Sequence, residues 1–385
     1  VLADLIYLDY AATTPVASAV AERMRAVQQA AFFNPASNHA GGWKSDAVVQ
    51  AAAAALGGLL NADPERFLWT SGATESNNLG IFGIATQRAH RGKHLVTMRT
   101  EHKAVVDVFR ALQKRGFEVT WLEPEADGAL DIEKLKATLR DDTQLVSIMH
   151  VNNEIGTIND IATIGAHCRE HGVALHVDGA QAVGKIPVDL ALLPVDLYSI
   201  TGHKFYGPKG IGALYVASDV VLKPLLFGGG QQRRLRPGTV PVELIAGLGE
   251  AAHLAKSRMT DDFQHLTQLK RELWNGIKSI KGLTVNGPLE EAYPGILNVS
   301  IDGVDGESLL LALEPLCVAT GSACNSQSQE SSYVLRALGR SDTEAQSAIR
   351  FSFGRPTRSE DIATAIDLYK LAVQRLRAIA PEHGA

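Results

Sequence analysis

Lys204 closes the apolar run Tyr198-Ser199-Ile200-Thr201 and opens onto a loop rich in glycine and proline, Gly207-Pro208-Lys209-Gly210. An amine at the end of a hydrophobic strand is well placed to form a Schiff base with a carbonyl cofactor. Upstream, Asp178 and Gln181 stand three residues apart in His176-Val177-Asp178-Gly179-Ala180-Gln181. A carboxylate there can keep a pyridine nitrogen protonated, and the amide can bond a phenolic oxygen. A lone lysine at such a junction would read as surface, and a lone aspartate as a helix cap. Neither reading explains the three together, and the cofactor they imply is pyridoxal 5'-phosphate.

A phosphate needs donors, and several candidates are spaced to supply them. Thr201 and His203 flank Lys204 with a hydroxyl and an imidazole. Ser71-Gly72-Ala73-Thr74-Glu75 reads as a strand-to-helix turn whose amides at Ala73 and Thr74, with the Thr74 hydroxyl, form an anion site at a helix start. His102, in Thr100-Glu101-His102-Lys103, closes another strand, where an imidazole can cover the cofactor ring and move protons. Asn153 ends a further strand, within reach of the ring oxygen or a substrate carboxylate. His167 and His171, four apart on a helix, resemble a metal pair. The apolar face of that helix is expected at Ile161, Ala162 and Ile164, which turns both histidines outward, and no metal site is expected.

Alternating strands and helices must carry these residues. Strands are expected at 67–70, 94–97, 118–122, 145–151, 174–177, 196–200 and 212–216, with helices near 103–115, 131–140 and 160–171 between them. This alternation implies a mainly parallel sheet covered by helices. After about residue 250 the pattern shifts to long amphipathic helices (251–281, 359–378) interleaved with short strands at 295–301 and 349–353. That region reads as a smaller α+β domain, completed by the first fifteen or so residues.

Bulk properties set the outer limits. The 385 residues suffice for two domains, and 45% hydrophobic with 21% charged residues is ordinary for a globular chain. A net charge of −5 argues against direct nucleic-acid binding. No apolar run reaches the roughly 18 residues of a membrane span. The N-terminus has neither a basic region nor a cleavage pattern, and its opening on Val1 instead of methionine leaves room for a segment upstream. Cys168, Cys317 and Cys324 form no CxxC pair, which fits a reducing compartment and points to the cytoplasm.

Taken together, Tyr7–Pro15, Thr70–Asn78, Thr100–Val105, Met149–Gly156, His176–Gln181, Gly202–Tyr215, Gly238–Val242, Thr320–Ser326, Ser332–Gly339 and Ile349–Gly354 resemble the cysteine desulfurases of the IscS/NifS type, in the class V aminotransferase family. The resemblance spans nearly the whole chain. It implies the pyridoxal-phosphate transferase fold type I, with a mainly parallel seven-stranded sheet. The large domain would cover 16–250, and 1–15 with 251–385 would form the small domain.

In that family a loop cysteine is the nucleophile, and Gly321-Ser322-Ala323-Cys324-Asn325-Ser326 matches it. Its small polar neighbours predict an exposed loop, unlike the apolar surroundings of Cys317. The resemblance implies conversion of L-cysteine to L-alanine, with sulfur passing to Cys324 as a persulfide and then to an acceptor protein. Arg350 would clamp the substrate carboxylate, aided by Asn153, while Lys204 or His102 moves the α-proton. It also implies a homodimer in which Thr239 reaches the other subunit's cofactor phosphate.

The chain departs from the family pattern at several places. Val318-Ala319-Thr320 stands where serines are frequent, Asn325 where threonine is common, and Ser331 where proline is. Thr201 and Pro237 replace usual serines, and the sequence stops at Ala385 without the long tail of many IscS-type enzymes. These changes spare the chemistry and leave the acceptor open between an iron–sulfur scaffold and a protein that thiolates tRNA or DNA. The nearest rivals are selenocysteine lyase and a transaminase on the same fold. A non-catalytic relative would have lost Lys204, Asp178 or Cys324. Nicotinamide and Walker-type nucleotide binding lack their glycine motifs.

Overall fold

The computed structural model describes residues 5–320 and 331–379. Seven strands form the main sheet: β2 (Phe67–Thr70), β3 (His94–Met98), β4 (Glu118–Leu122), β5 (Thr143–Met149), β6 (Ala174–Asp178), β7 (Leu197–Thr201) and β8 (Gly212–Val216), after a short β1 (Ile6–Tyr7). Their order is β2-β8-β7-β6-β5-β3-β4, with β8 antiparallel to both neighbours and the rest parallel. The expected strands are all present, with ends shifted by one or two residues. Strands β3, β5, β6 and β7 are buried throughout. Helices on both faces leave them no solvent side, so they read as continuous apolar runs without alternation.

Because β2, β3, β5, β6 and β7 run the same way, their carboxyl ends share one edge of the sheet. In an open α/β sheet that edge is where ligands bind. It carries Thr70, Met149, Asp178 and Thr201, with the loops that follow them. The helix Ala73–Gln87 starts there and is buried on most of its circumference, as an all-round apolar helix must be. Gly212 lets its entry turn come close: a Cβ at Gly212 would lie 2.6 Å from the Gly72 Cα.

The remaining strands belong to the second half of the chain. β9 (Leu283–Asn286), β10 (Ile296–Ile301), β12 (Ala319–Thr320) and β13 (Ile349–Ser352) form an antiparallel sheet in the order β12-β13-β10-β9. The N-terminal β1 pairs in parallel with β11 (Leu316–Cys317). Val242–Ile277 is one helix, which begins earlier than the sequence suggested and runs unbroken through the division expected at residue 250. It packs on the helices Ser18–Ala30 and Ala40–Leu60 at one end and on Ser359–Ile379 at the other. Buried apolar residues from Leu8 to Val373 accordingly form one contiguous cluster across both halves.

The helix Ile161–Glu170 corrects one detail. Ile161 and Ile164 are buried as expected, but Ala162 is exposed and Cys168 completes the inner face. His171 is exposed and His167 half-buried, bonded to Glu170. Among the described residues, no group of three or more potential metal ligands comes together.

Candidate active site

A cavity of about 510 Å³ opens at the carboxyl edge of the main sheet. Lys204, Asp178, Gln181 and His102 line it, as do Ala73, Thr74, Asn153, Thr201, His203 and Arg350. The sequence had singled out every one of these. Thr239 is not among the lining residues and is exposed. Cys324 lies outside the described residues.

Asp178 ends β6 with both carboxylate oxygens held. Oδ2 accepts from Asn77 Nδ2 at 2.7 Å and Oδ1 from the Ala180 amide at 2.9 Å. The side chain is 5% exposed. Directly behind it, Glu101 is wholly buried. Its Oε1 accepts from the Met149 amide at 2.7 Å, while Oε2 has no hydrogen-bond partner among the described residues. Burial, with the Asp178 charge adding to it, pushes the Glu101 carboxyl well above the usual carboxylate range. Burial thus disfavours a second negative charge beside Asp178.

Lys204 ends a short 3₁₀ turn, Gly202–Lys204, that follows β7 directly. His203 is held by the N-terminal loop: its ring Nδ1 bonds Thr13 Oγ1 at 3.1 Å, and its carbonyl accepts from the Thr14 amide at 2.9 Å. Burial and the Lys204 charge lower the His203 imidazole to about 4, so it is neutral near pH 7. The His102 imidazole is lowered too, first by burial and then by Lys204. Its Nδ1 accepts from the Ala104 amide at 3.1 Å, which caps the helix Lys103–Gln113 and fixes the ring at the cavity wall.

Among the described residues no side chain caps the helix Ala73–Gln87 at Gly72, and Gly72, Ala73 and Thr74 line the cavity where its first turn begins. Gly72 has a φ of +149°, a conformation that residues other than glycine rarely adopt, and a Cβ there would sit in contact with Thr201 Oγ1 at 3.4 Å. Opposite, Arg350 is 5% exposed, and its guanidinium is fixed by the Asn153 carbonyl (2.9 Å) and Asp9 Oδ1 (2.7 Å). Its buried Nε has no hydrogen-bond partner among the described residues. These features fit pyridoxal phosphate and an amino-acid substrate. There is a helix start without a side-chain cap for a phosphate, an anchored carboxylate for the ring nitrogen, and a positioned arginine for the substrate carboxylate.

The family model for class-V aminotransferases matches residues 6–364. The chain belongs to that family. It is 52% identical over 381 residues to the cysteine desulfurase IscS of Cronobacter sakazakii, covering 98% of this chain and 94% of that protein. Among solved structures, a NifS-like protein superposes with a TM-score of 0.91 at 32% identity, covering 97% of this chain and all of the other. SspA, solved in complex with cysteine, superposes with a TM-score of 0.81 at 36% identity, covering 90% and 98%. As a class-V enzyme of the IscS/NifS type, the chain is a pyridoxal-phosphate enzyme with the expected fold.

Several residues at this class-V site were not singled out by the sequence reading. Asn77, Glu101, Asp9 and Lys185 act on the lining residues without themselves being obvious reagents. Glu154 is another. It is 6% exposed, and its Oε2 accepts from Ser332 Oγ at 2.6 Å, just beyond the segment that holds Cys324. Burial pushes the Glu154 carboxyl up from 4.5 to about 7. The folded state therefore holds this proton more tightly than the unfolded chain does. Its contribution to stability is complete below about pH 4.5 and is lost as pH rises through about 7, at a cost of about 3 kcal/mol. Glu154→Gln keeps an acceptor for Ser332 and removes the titration. It is expected to be more stable than wild type at pH 8 and similar at pH 5, as read by urea unfolding. An equal difference at both pH values would contradict this.

Proposed function

We propose that the chain is a pyridoxal-phosphate-dependent cysteine desulfurase and that the residues around the cavity carry out its reaction. The observation that carries the assignment of roles is the convergence of Lys204, Asp178 and Arg350 on one cavity. Arg350 and Asn153 receive the carboxylate of L-cysteine, with Arg350 held in place by Asp9. Lys204 is the amine that holds the cofactor, and it takes the proton from the substrate α-carbon. His102, neutral near pH 7, covers the ring and accepts or returns a proton. Asp178 binds the pyridine nitrogen, Gln181 the phenolic oxygen, and Thr201, His203, Thr74 and the Ala73 amide the phosphate. The bound cofactor supplies an electron sink for the charge left on the α-carbon.

The Cys324 thiolate then attacks the substrate sulfur. An S–S bond forms, the C–S bond breaks, and its electron pair goes to the substrate β-carbon, which takes up a proton. The products are L-alanine and a persulfide on Cys324. We infer that the persulfide passes to an acceptor protein, an iron–sulfur scaffold or a thiolation protein. The working enzyme in this reading is a cytoplasmic homodimer. Thr239 is exposed and away from its own cavity, as expected of a residue that serves a partner's phosphate. The exposed apolar stretch Leu225-Leu226-Phe227 lies just before it in the chain, and Phe227 is 88% exposed. The two-domain division, 16–250 against 1–15 with 251–385, belongs to the same reading. Among the described residues no helix is long and apolar enough to cross a membrane.

The test is direct. Purified protein supplied with pyridoxal phosphate should show a visible absorption band, and with L-cysteine and a reductant it should yield equal amounts of alanine and sulfide. A coloured protein that releases no sulfide would move the function to another class-V reaction, such as transamination or selenocysteine cleavage.

A further inference from the structure

Lys185 follows Gln181 by four residues in the helical turn after β6, where Ala182 N bonds Gly179 O and Lys185 N bonds Ala182 O. That spacing puts both side chains on one face of the turn. Lys185 Nζ donates to Gln181 Oε1 at 2.5 Å and lies 5.2 Å from the centre of the Tyr293 ring. On its other side, Gln181 Nε2 donates to the Ala11 carbonyl at 2.7 Å. A carbonyl can only accept, which turns Nε2 toward Ala11, and the Lys185 amine donates to the oxygen that this leaves on the other side. Oxygen faces Lys185, nitrogen faces Ala11, and the second Nε2 hydrogen is left for the cavity that Gln181 lines.

Charge sharpens the point. Lys185 and Lys204 line one small cavity of about 20 Å³ behind the main site, with Tyr10, Tyr206, Tyr293 and Asp262. The carboxylate in this group, Asp262, is engaged by Arg355 at 2.7 Å. Burial, and then the Lys204 and Arg350 charges, hold the Lys185 amine well below the ordinary lysine range. A buried lysine kept for stability would be expected to face a carboxylate. This one faces an amide on the cofactor side and other cations.

We propose that Lys185 is a positioning residue for the cofactor: it locks the Gln181 amide so that its nitrogen, and not its oxygen, meets the phenolic oxygen of the ring. The inference rests on the pyridoxal-phosphate reading and assigns a role within it. Without Lys185, Gln181 Oε1 loses its donor and the amide is free to rotate away from the ring oxygen. That oxygen then loses a donor, and its anionic form is less favoured.

The experiment uses the holoenzyme without substrate. Pyridoxal-phosphate affinity and the pH midpoint of the visible band are measured for wild type, Lys185→Met, Gln181→Ala and the double variant. Lys185→Gln serves as a milder replacement that retains a donor. Lys185→Met is expected to weaken cofactor binding roughly 3- to 10-fold, the worth of one hydrogen bond, and to raise the midpoint. The rise follows because a donor, and any charge Lys185 carries, is withdrawn from the deprotonated form. Lys185→Gln should restore part of both effects. In the Gln181→Ala background, Lys185→Met should change neither quantity further. A wild-type midpoint and affinity in Lys185→Met would overturn the proposal, as would full additivity of the two substitutions. A wild-type protein that takes up no pyridoxal phosphate would instead defeat the underlying functional reading.

Discussion

Lys204→Ala is expected to leave a folded protein that yields no alanine or sulfide from L-cysteine above background, a loss of about 10⁴-fold or more. The residue ends a turn at the cavity and is half-buried, so its truncation removes little from the core. What is lost is chemical. The amine is the group placed to bind the cofactor covalently and to take the α-proton, and general acid–base transfer alone accounts for about 10²–10⁴. His102 cannot replace it, because an imidazole forms no comparable covalent link to the cofactor. Borohydride trapping followed by peptide mapping reads the link itself. Wild type should carry the cofactor on the peptide containing Lys204, and the variant should not. A variant that retained the wild-type rate would remove Lys204 from its assigned role.

The second large effect concerns the sulfur. Cys324→Ala is expected to keep the cofactor, its visible band and the affinity for L-cysteine, while alanine and sulfide formation fall about 10³-fold or more. Desulfuration requires a thiolate to accept sulfur, and neither remaining cysteine can supply it. Cys168 is 1% exposed in the core, where burial pushes its thiol up to about 12. Cys317 sits on β11, outside the cavity lining. Intact-mass measurement after one turnover should find a single additional sulfur on wild type and none on the variant. Sulfide release at the wild-type rate from Cys324→Ala would exclude the persulfide route and favour a lyase that needs no enzyme thiol.

The residues with reactive chemistry could be read from the sequence because their local settings are distinctive. Asp178 and Lys204 each close an apolar run, and parallel strands bring such ends to one edge whatever the connecting lengths. Six strands of the main sheet were legible for a related reason, since buried strands are short apolar runs between turns, while β4 at the edge is only partly buried. The supporting residues were not. Asp9 fixes Arg350 across 341 residues of chain. Glu101 looks like a charged residue beside a histidine, and only the fold reveals that it is wholly buried. Lys185 did carry a local signal, the four-residue step from Gln181, but many lysines share that spacing with a glutamine and bond nothing. The start of Val242–Ile277 was misplaced because its first turns are buried against other helices and lack an amphipathic stripe.

The loop between β8 and the long helix holds one more device. Gln232 Oε1 accepts from the Trp69 amide at 2.5 Å, and its Nε2 donates to the Trp69 carbonyl at 3.0 Å. Trp69 lies on β2, an outermost strand of the main sheet. The side chain thus copies the bonds an eighth strand would make. An unpaired edge is a template on which another chain can dock and polymerise. At Trp69 a single glutamine occupies the template in place of a neighbouring chain.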